Sequence, residues 1–363
     1  MFIAGSDYKE ERIGADMTRK FWCLLTLSAL ILLLAGIAAV TAIVDPFEIY
    51  HRAWFYNPPY KSSTQMYAQA GVAKSYTYDS VIIGSSVTEN CTPSVYDAAL
   101  GGRFVKLSMN AGTARDHAKM MEIALRTHDV RSVVYGLDLF AYSLYYTNQK
   151  AVTPDYLYDD ALFNDVNYLL NKNVLLEQIP QALARIGVPD EDASRDSMYY
   201  WSPPEMPGEK ALRAMVNLSS PMPSQGGAER ALELAQLNLE HNLLPYIRDH
   251  RETTFFIFFP PYSLLYWANE AAQGNFDACM AQKRLIGETL LAEPNVQLYD
   301  FQTHTAWVED YSLYYDLIHY TAIVNDAMAS SMAQGMCRVE DHGALLSGIE
   351  RLRSAVSSLF PQP

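Results

Sequence analysis

The alternation of apolar and polar positions changes period several times along the chain. From Phe21 to Val44 the sequence reads FWCLLTLSALILLLAGIAAVTAIV, with no charged residue. At 1.5 Å per residue a helix of this length reaches ~36 Å, enough to cross a ~30 Å hydrocarbon layer with some tilt. A cleaved signal segment and a buried core helix are the other two readings of such a run. Next comes VDPFEIYHRAWFYNPPYK, an aromatic, proline-containing collar that is expected to be irregular. Beyond it, short β-rich apolar runs alternate with longer stretches at helical spacing. The pattern predicts strands at Ser80–Gly84, Phe104–Ser108, Ser132–Leu137, Thr253–Phe259 and Val296–Phe301. Helices are expected at Arg115–His128, over Ala228–His250, at Met280–Leu291 and in the tail GALLSGIERLRSAVSSLF.

Strands alternating with helices imply βαβ units and a parallel sheet covered on both faces. The expected fold class is therefore α/β: a flavodoxin-like three-layer α/β/α sandwich with a mostly parallel five-stranded sheet. The interval 141–227 breaks the rhythm and reads as an inserted, partly helical lid region. The expected division is a head (1–20), a transmembrane helix (21–44), a membrane-proximal collar (45–77) and one domain (78–363) carrying that insertion.

Composition changes the picture in three places. Half of the 363 residues are apolar, and the net charge is −14, from 41 acidic and 27 basic residues. That balance argues against a nucleic-acid partner, whose phosphates need a basic face. Twenty-five tyrosines and five tryptophans serve core and interface packing or, alternatively, a wall on which sugars stack. Cysteines at 23, 91, 279 and 337 show no C-x-x-C spacing, so no zinc site is expected. Whether Cys279 and Cys337 pair in an oxidising compartment stays open. Lys9, Arg12, Arg19 and Lys20 precede the apolar run, and only Arg52 and Lys61 follow closely. The positive-inside rule then places the amino terminus in the cytoplasm and the domain outside, on a single-pass anchor in the cell membrane.

Candidate chemistry begins in DSVIIGSSVTENC, Asp79 to Cys91. A buried strand stops abruptly and presents Ser86 at its carboxyl end, where functional groups gather in an open parallel sheet. A serine nucleophile needs a base and a third group to orient that base. LYYDLIHYTAIVND offers Asp316 and His319 at i, i+3, a spacing that puts both on one side of a helical turn or tight loop. Each piece alone has an ordinary reading, a helix cap for the serine and a surface pair for the other two. Their order at matching ends of one sheet is what makes the combination specific. FFIFFPPYSLLYW is read as a strand and structural turn, with an acyl-pocket wall near Tyr262 as the alternative. Cys91 is assigned no chemistry.

These blocks resemble the SGNH (GDSL-like) hydrolase and acyltransferase superfamily. Gly84-Ser85-Ser86 matches the Gly-Asp-Ser block, with Ser85 in place of the usual Asp. Gly112 in SMNAGTARD stands where the family has the glycine whose N–H helps bind the oxyanion. YGLDLF follows the third strand, where the family has Gly-x-Asn-Asp, and Asp316-Leu-Ile-His319 matches the terminal Asp-x-x-His block. The resemblance covers roughly Asp79 to Ala329, without the insertion. It implies Ser86, His319 and Asp316 as the catalytic residues, with no metal or organic cofactor. The aligned oxyanion donor is Asp138, and an ionised carboxylate cannot donate to an anion. Either Asp138 points elsewhere or Asn110 fills the gap. The anchor and the Gly-Ser-Ser variant are similar to membrane-anchored members that acylate bacterial envelope glycans, the D-alanyl transfer protein of teichoic-acid modification among them. That likeness implies an envelope glycan or acylated polymer as substrate and a membrane-bound O-acyltransferase as partner. The alternative is a non-catalytic glycan-binding or scaffold protein of the same fold.

Overall fold

The structure is a computed structural model and describes residues 4–150, 153–161, 163–188, 195–217 and 227–359. The stretch 218–226, within the expected insertion, lies outside the described residues. Five strands form one sheet: β1 (Ser80–Ile83), β2 (Phe104–Lys106), β3 (Ser132–Gly136), β4 (Thr254–Phe259) and β5 (Val296–Asp300). Their order is β2-β1-β3-β4-β5 and every pairing is parallel. This is the flavodoxin-like α/β arrangement, all parallel rather than mostly so. Val81, Ile82, Ile83, Val133, Val134 and Tyr135 are fully buried, as both faces of a central parallel strand must be when helices cover them.

Four predicted strands run one or two residues past the observed carboxyl ends. Leu107, Leu137 and Phe301 explain three of these: all are fully buried although they lie beyond the strands. Hydrophobicity reports burial, whereas strand pairing stops where the chain leaves the sheet. The helix Ala114–Thr127 starts with a reciprocal cap, Thr113 accepting from the Asp116 N–H and Asp116 accepting from the Thr113 N–H. The stretch expected as one helix over 228–250 is broken into Gly227–Asn238 and Leu244–Asp249 by a wide π turn, Leu239–Leu243. Pro245 accounts for the break, because it has no N–H to bond back into the preceding turn. The helices Phe276–Leu291, before β5, and Ala322–Ala333 and His342–Leu359, after it, complete the described chain.

The chain divides into two compact units. One comprises residues 1–46, 53–58 and 159–188; the other comprises 47–52, 59–158 and 189–363. In the first, the helix Ala4–Val44 carries the apolar run. Its Asp16–Val44 portion is long and apolar enough to cross a membrane, with mean hydropathy 2.7 and only 11% of its most apolar window buried. Asp45 ends this helix with positive φ. The Tyr168 hydroxyl donates to its carboxylate and the Tyr56 hydroxyl to its carbonyl. The second unit holds the sheet and the residues of the candidate site.

Candidate active site

In this strand order the chain leaves β1 toward one edge of the sheet and β3 toward the other. The carboxyl ends of these two strands therefore border the crevice where ligands collect in open α/β sheets. Ser86 follows β1 directly. Ser85 caps a single 3-10 turn, Ser86–Thr88, and the next helix does not begin until Pro93. The turn is clamped by Thr88, which is fully buried. Its hydroxyl donates to the Ser85 carbonyl at 2.9 Å and pairs with the Ser108 hydroxyl, which is free to donate, at 2.7 Å. Gly84 and Gly136 leave room for it, since a Cβ on either would lie 2.7 Å from the Thr88 methyl carbon. Two glycines, one at each strand end, thus make room for a threonine that ties the Ser86 turn to the chain after β1 and β2 and packs against the end of β3.

Asp316 to His319 form a tight loop. Tyr314 bridges Tyr320, and the Tyr315 N–H donates to the His319 carbonyl at 2.8 Å. One Asp316 carboxylate oxygen accepts the N–H groups of Ile318 and His319, each at 2.8 Å. The other meets His319 Nδ1 at 2.6 Å, and His319 Nε2 lies 2.8 Å from Ser86 Oγ. With Nδ1 donating to the carboxylate, Nε2 is left to accept the serine proton. Burial works to raise the Asp316 pKa, but the hydrogen bond from His319, its charge and the two backbone N–H groups outweigh this and hold it below its ordinary value. The loop is fixed from below. Ser263 donates its N–H and hydroxyl to the Leu317 carbonyl at 3.1 and 2.7 Å, and Tyr314 donates to the Pro261 carbonyl at 2.7 Å. The PPYS segment is thus a structural turn; Tyr262 is buried and donates to Asp138. The His319 side chain is 19% exposed.

The oxyanion side differs. The Gly112 N–H donates to the Met109 carbonyl at 2.8 Å, closing a turn in which Ala111 has positive φ. Asn110 accepts from Lys150 at its side-chain oxygen, at 2.8 Å. Its backbone N–H is taken by Gln65. Asp138 is fully buried; one oxygen accepts from Tyr262, and the Ser85 hydroxyl and N–H also draw on the carboxyl group. Burial raises its pKa to about 6, against the pull of the Ser85 hydroxyl, the Tyr262 hydroxyl, the charge of His319 and the Ser85 N–H. The Ser86 N–H has no acceptor among the described residues.

The sequence suggests that TENC begins a helix with Thr88 to Cys91 packed beneath Ser86; Thr88 is buried there, but in a 3-10 turn, and Trp201 was missed. The Trp201 ring meets the His319 imidazole edge to face at 5.0 Å and lies 5.3 Å from Tyr315. The expected insertion therefore contributes an aromatic wall to the site. No signal in the sequence joins Trp201 to His319. Cys91 is buried and its thiol is pushed up to about 12. Cys279 and Cys337 are free thiols, also raised by burial. Among the described residues no group of three or more His, Cys, Asp or Glu side chains is placed to hold a metal ion. Two concavities lie elsewhere, one of about 530 Å³ beside Arg213 and Tyr311 and one of about 310 Å³ beside Phe140 and Glu270.

No family model matches the chain, and no curated protein matches it. Among solved structures it is similar to one from Streptococcus pneumonia whose description assigns it provisionally to platelet activating factor. The identity is 11% and the TM-score 0.39, over 75% of this chain and 90% of that chain. A TM-score this low does not bear on function.

Proposed function

We propose that the protein is a serine-dependent acyl-ester hydrolase or O-acyltransferase of the SGNH type, working through an acyl-enzyme. One observation carries this reading: Ser86, His319 and Asp316 form an unbroken hydrogen-bonded chain at the carboxyl edge of the sheet. Ser86 Oγ attacks the ester carbonyl carbon as its proton passes to His319 Nε2, and the carbonyl electron pair moves onto oxygen. Asp316 holds the tautomer and stabilises the imidazolium. As the intermediate collapses, His319 returns the proton to the departing alcohol and the acyl group stays on Ser86. Water or a sugar hydroxyl then repeats these steps in reverse roles.

The substrate class proposed is an acylated cell-envelope glycan or polymer outside the cytoplasm, with the helix at Asp16–Val44 as the anchor and its amino terminus inside. A membrane-bound O-acyltransferase is the proposed partner. Support comes from the helix itself, from the basic residues preceding it and from the aromatic rim of Tyr200, Trp201 and Tyr315 beside the imidazole. Exposed aromatic faces suit sugar rings. The test is incubation of the full-length protein in detergent with a chromogenic acetyl ester and an envelope-type oligosaccharide. Mass spectrometry of the products should show acetate, acetylated sugar or both, and neither above background with Ser86→Ala. Equal product from that variant would refute the reading.

A second reading, a glycan-binding protein of this fold without turnover, is favoured by the oxyanion side. There the Gly112 N–H is occupied and a carboxyl group stands at the donor position.

A further inference from the structure

The unit that holds the long apolar helix leaves a second apolar surface open. In residues 53–58 and 159–188, Trp54 and Phe163 are 74% and 98% exposed, and Val166, Leu176, Leu183 and Ile186 are exposed with them. Single exposed apolar side chains are ordinary, whereas a gathering of them marks a surface that something covers. The same stretch has a buried side as well, made by Tyr168, Val174, Ile179 and Ala182. Its helical pieces, Val166–Leu169, Val174–Gln178 and Ile179–Leu183, pack against the helix Ala4–Val44. Packing within the unit therefore uses one apolar side of these pieces and leaves the other outside.

The place of this packing along the helix sets its depth. Every residue from Asp16 to Gly36 is exposed, and exposure first falls at Ile37 and Ala38, then again over 41–45 apart from Ile43. Tyr168 and Tyr56 both reach Asp45, at the end of the helix. Asn57 joins the two stretches: its amide donates to the Val188 carbonyl, and its carbonyl accepts from Arg185, both at 2.7 Å. Counted from Phe21 at about 1.5 Å per residue, a ~30 Å hydrocarbon layer is crossed in ~20 residues and ends near Val40. The pieces packed at 37–45 thus lie where acyl chains give way to headgroups, whichever way the helix is oriented.

Resting on the proposed reading of this helix as a membrane anchor, we propose that residues 53–58 and 159–188 make a second membrane contact. Their exposed apolar side chains enter the acyl-chain and headgroup boundary of the lipid bilayer around the end of the anchor. Tryptophan favours that boundary, and short amphipathic helical pieces lie in its plane with their polar side toward water. Lys172, Asn173 and Glu177 are exposed beside the apolar set and supply that polar side. The tilt of a spanning helix is set by its packing and by flanking contacts at the interface. The second contact holds the end of the anchor at one height and one tilt.

The test places the full-length protein, one copy per nanodisc, in phosphatidylcholine that carries a diazirine on an acyl chain. After irradiation, mass spectrometry locates the lipid adducts. They should fall within 21–40, within 163–186 and on Trp54. Leu176→Glu combined with Leu183→Glu should abolish the adducts in 163–186 and keep those in 21–40. Both side chains are exposed, so the fold should stand, which circular dichroism checks. Adducts in 21–40 with none in 163–186 would overturn the second contact and leave the anchor in place. Adducts in 163–186 that survive the double variant would overturn it too. So would adducts there that vanish in densely loaded vesicles, which would assign the surface to a second copy of the chain. Absence of adducts from 21–40 would instead sink the anchor itself, on which the inference rests.

Discussion

The two sides of the Ser86 crevice are built in opposite ways. On the histidine side every group is paired: Oγ to Nε2, Nδ1 to one carboxylate oxygen, two backbone N–H groups to the other. On the opposite side the Gly112 N–H closes its own turn, the Asn110 side-chain oxygen takes Lys150, the buried Asp138 carboxyl takes Tyr262, and the Ser86 N–H has no acceptor among the described residues. A hydrogen-bonded chain of three side chains stiffens itself, because each member fixes the next. An oxyanion donor must be left unpaired in the resting protein to be available in the transition state. The paired groups mark where the histidine side of the crevice is rigid, and the Ser86 N–H is the group left open.

The histidine side should carry the largest effects. Replacing Ser86 or His319 with Ala should lower acyl transfer by roughly 10⁴–10⁶-fold, the scale on which members of such a unit act together. Steady-state rates on the chromogenic ester measure this, and activity within tenfold of the parent would dissolve the contrast between the two sides. Asp316→Asn leaves the geometry but permits the wrong imidazole tautomer, and should cost about 10⁴ in kcat with little change in KM. A loss confined to KM would mean that Asp316 does not orient His319.

Smaller effects should come from the clamp beneath the crevice. Gly136→Ala places a Cβ against the Thr88 methyl, with the Phe258 ring edge 3.2 Å away, and should cost about 1–3 kcal/mol of stability in urea unfolding. Thr88→Ser removes that methyl and keeps the hydroxyl, so the double variant should be more stable than the two single losses predict. Strict additivity would show that the glycine is not there to seat Thr88. Smallest of all, Trp201→Ala removes one edge-to-face contact on His319, worth about 0.5–1.5 kcal/mol, and should lower kcat/KM by up to about tenfold. No change would assign Trp201 to packing alone.

Much of this was legible in the chain where the chemistry is local. Ser86 could be read because a buried apolar run ends in Gly84-Ser85-Ser86, and the Asp316–His319 pair because the tight loop brings i and i+3 together. The parallel order followed from alternating strands and helices. What was hidden depends on partners distant in sequence or on backbone conformation. Nothing in WSPPE shows that Trp201 lies against His319. The positive φ of Ala111, which turns the Gly112 N–H onto Met109, has no signature in MNAGT. The fit of Thr88 between two glycines requires the β1–β3 register. Pro245 was visible in the sequence, yet its apolar neighbours keep helical spacing on both sides, so periodicity alone ran through the break.

The most direct measurement is a fluorophosphonate reaction with the folded full-length protein, followed by mass spectrometry to locate the adduct. The account predicts one phosphonyl group on Ser86, absent from Ser86→Ala and strongly reduced in His319→Ala. An adduct on another residue, or no adduct in the folded parent, would contradict it.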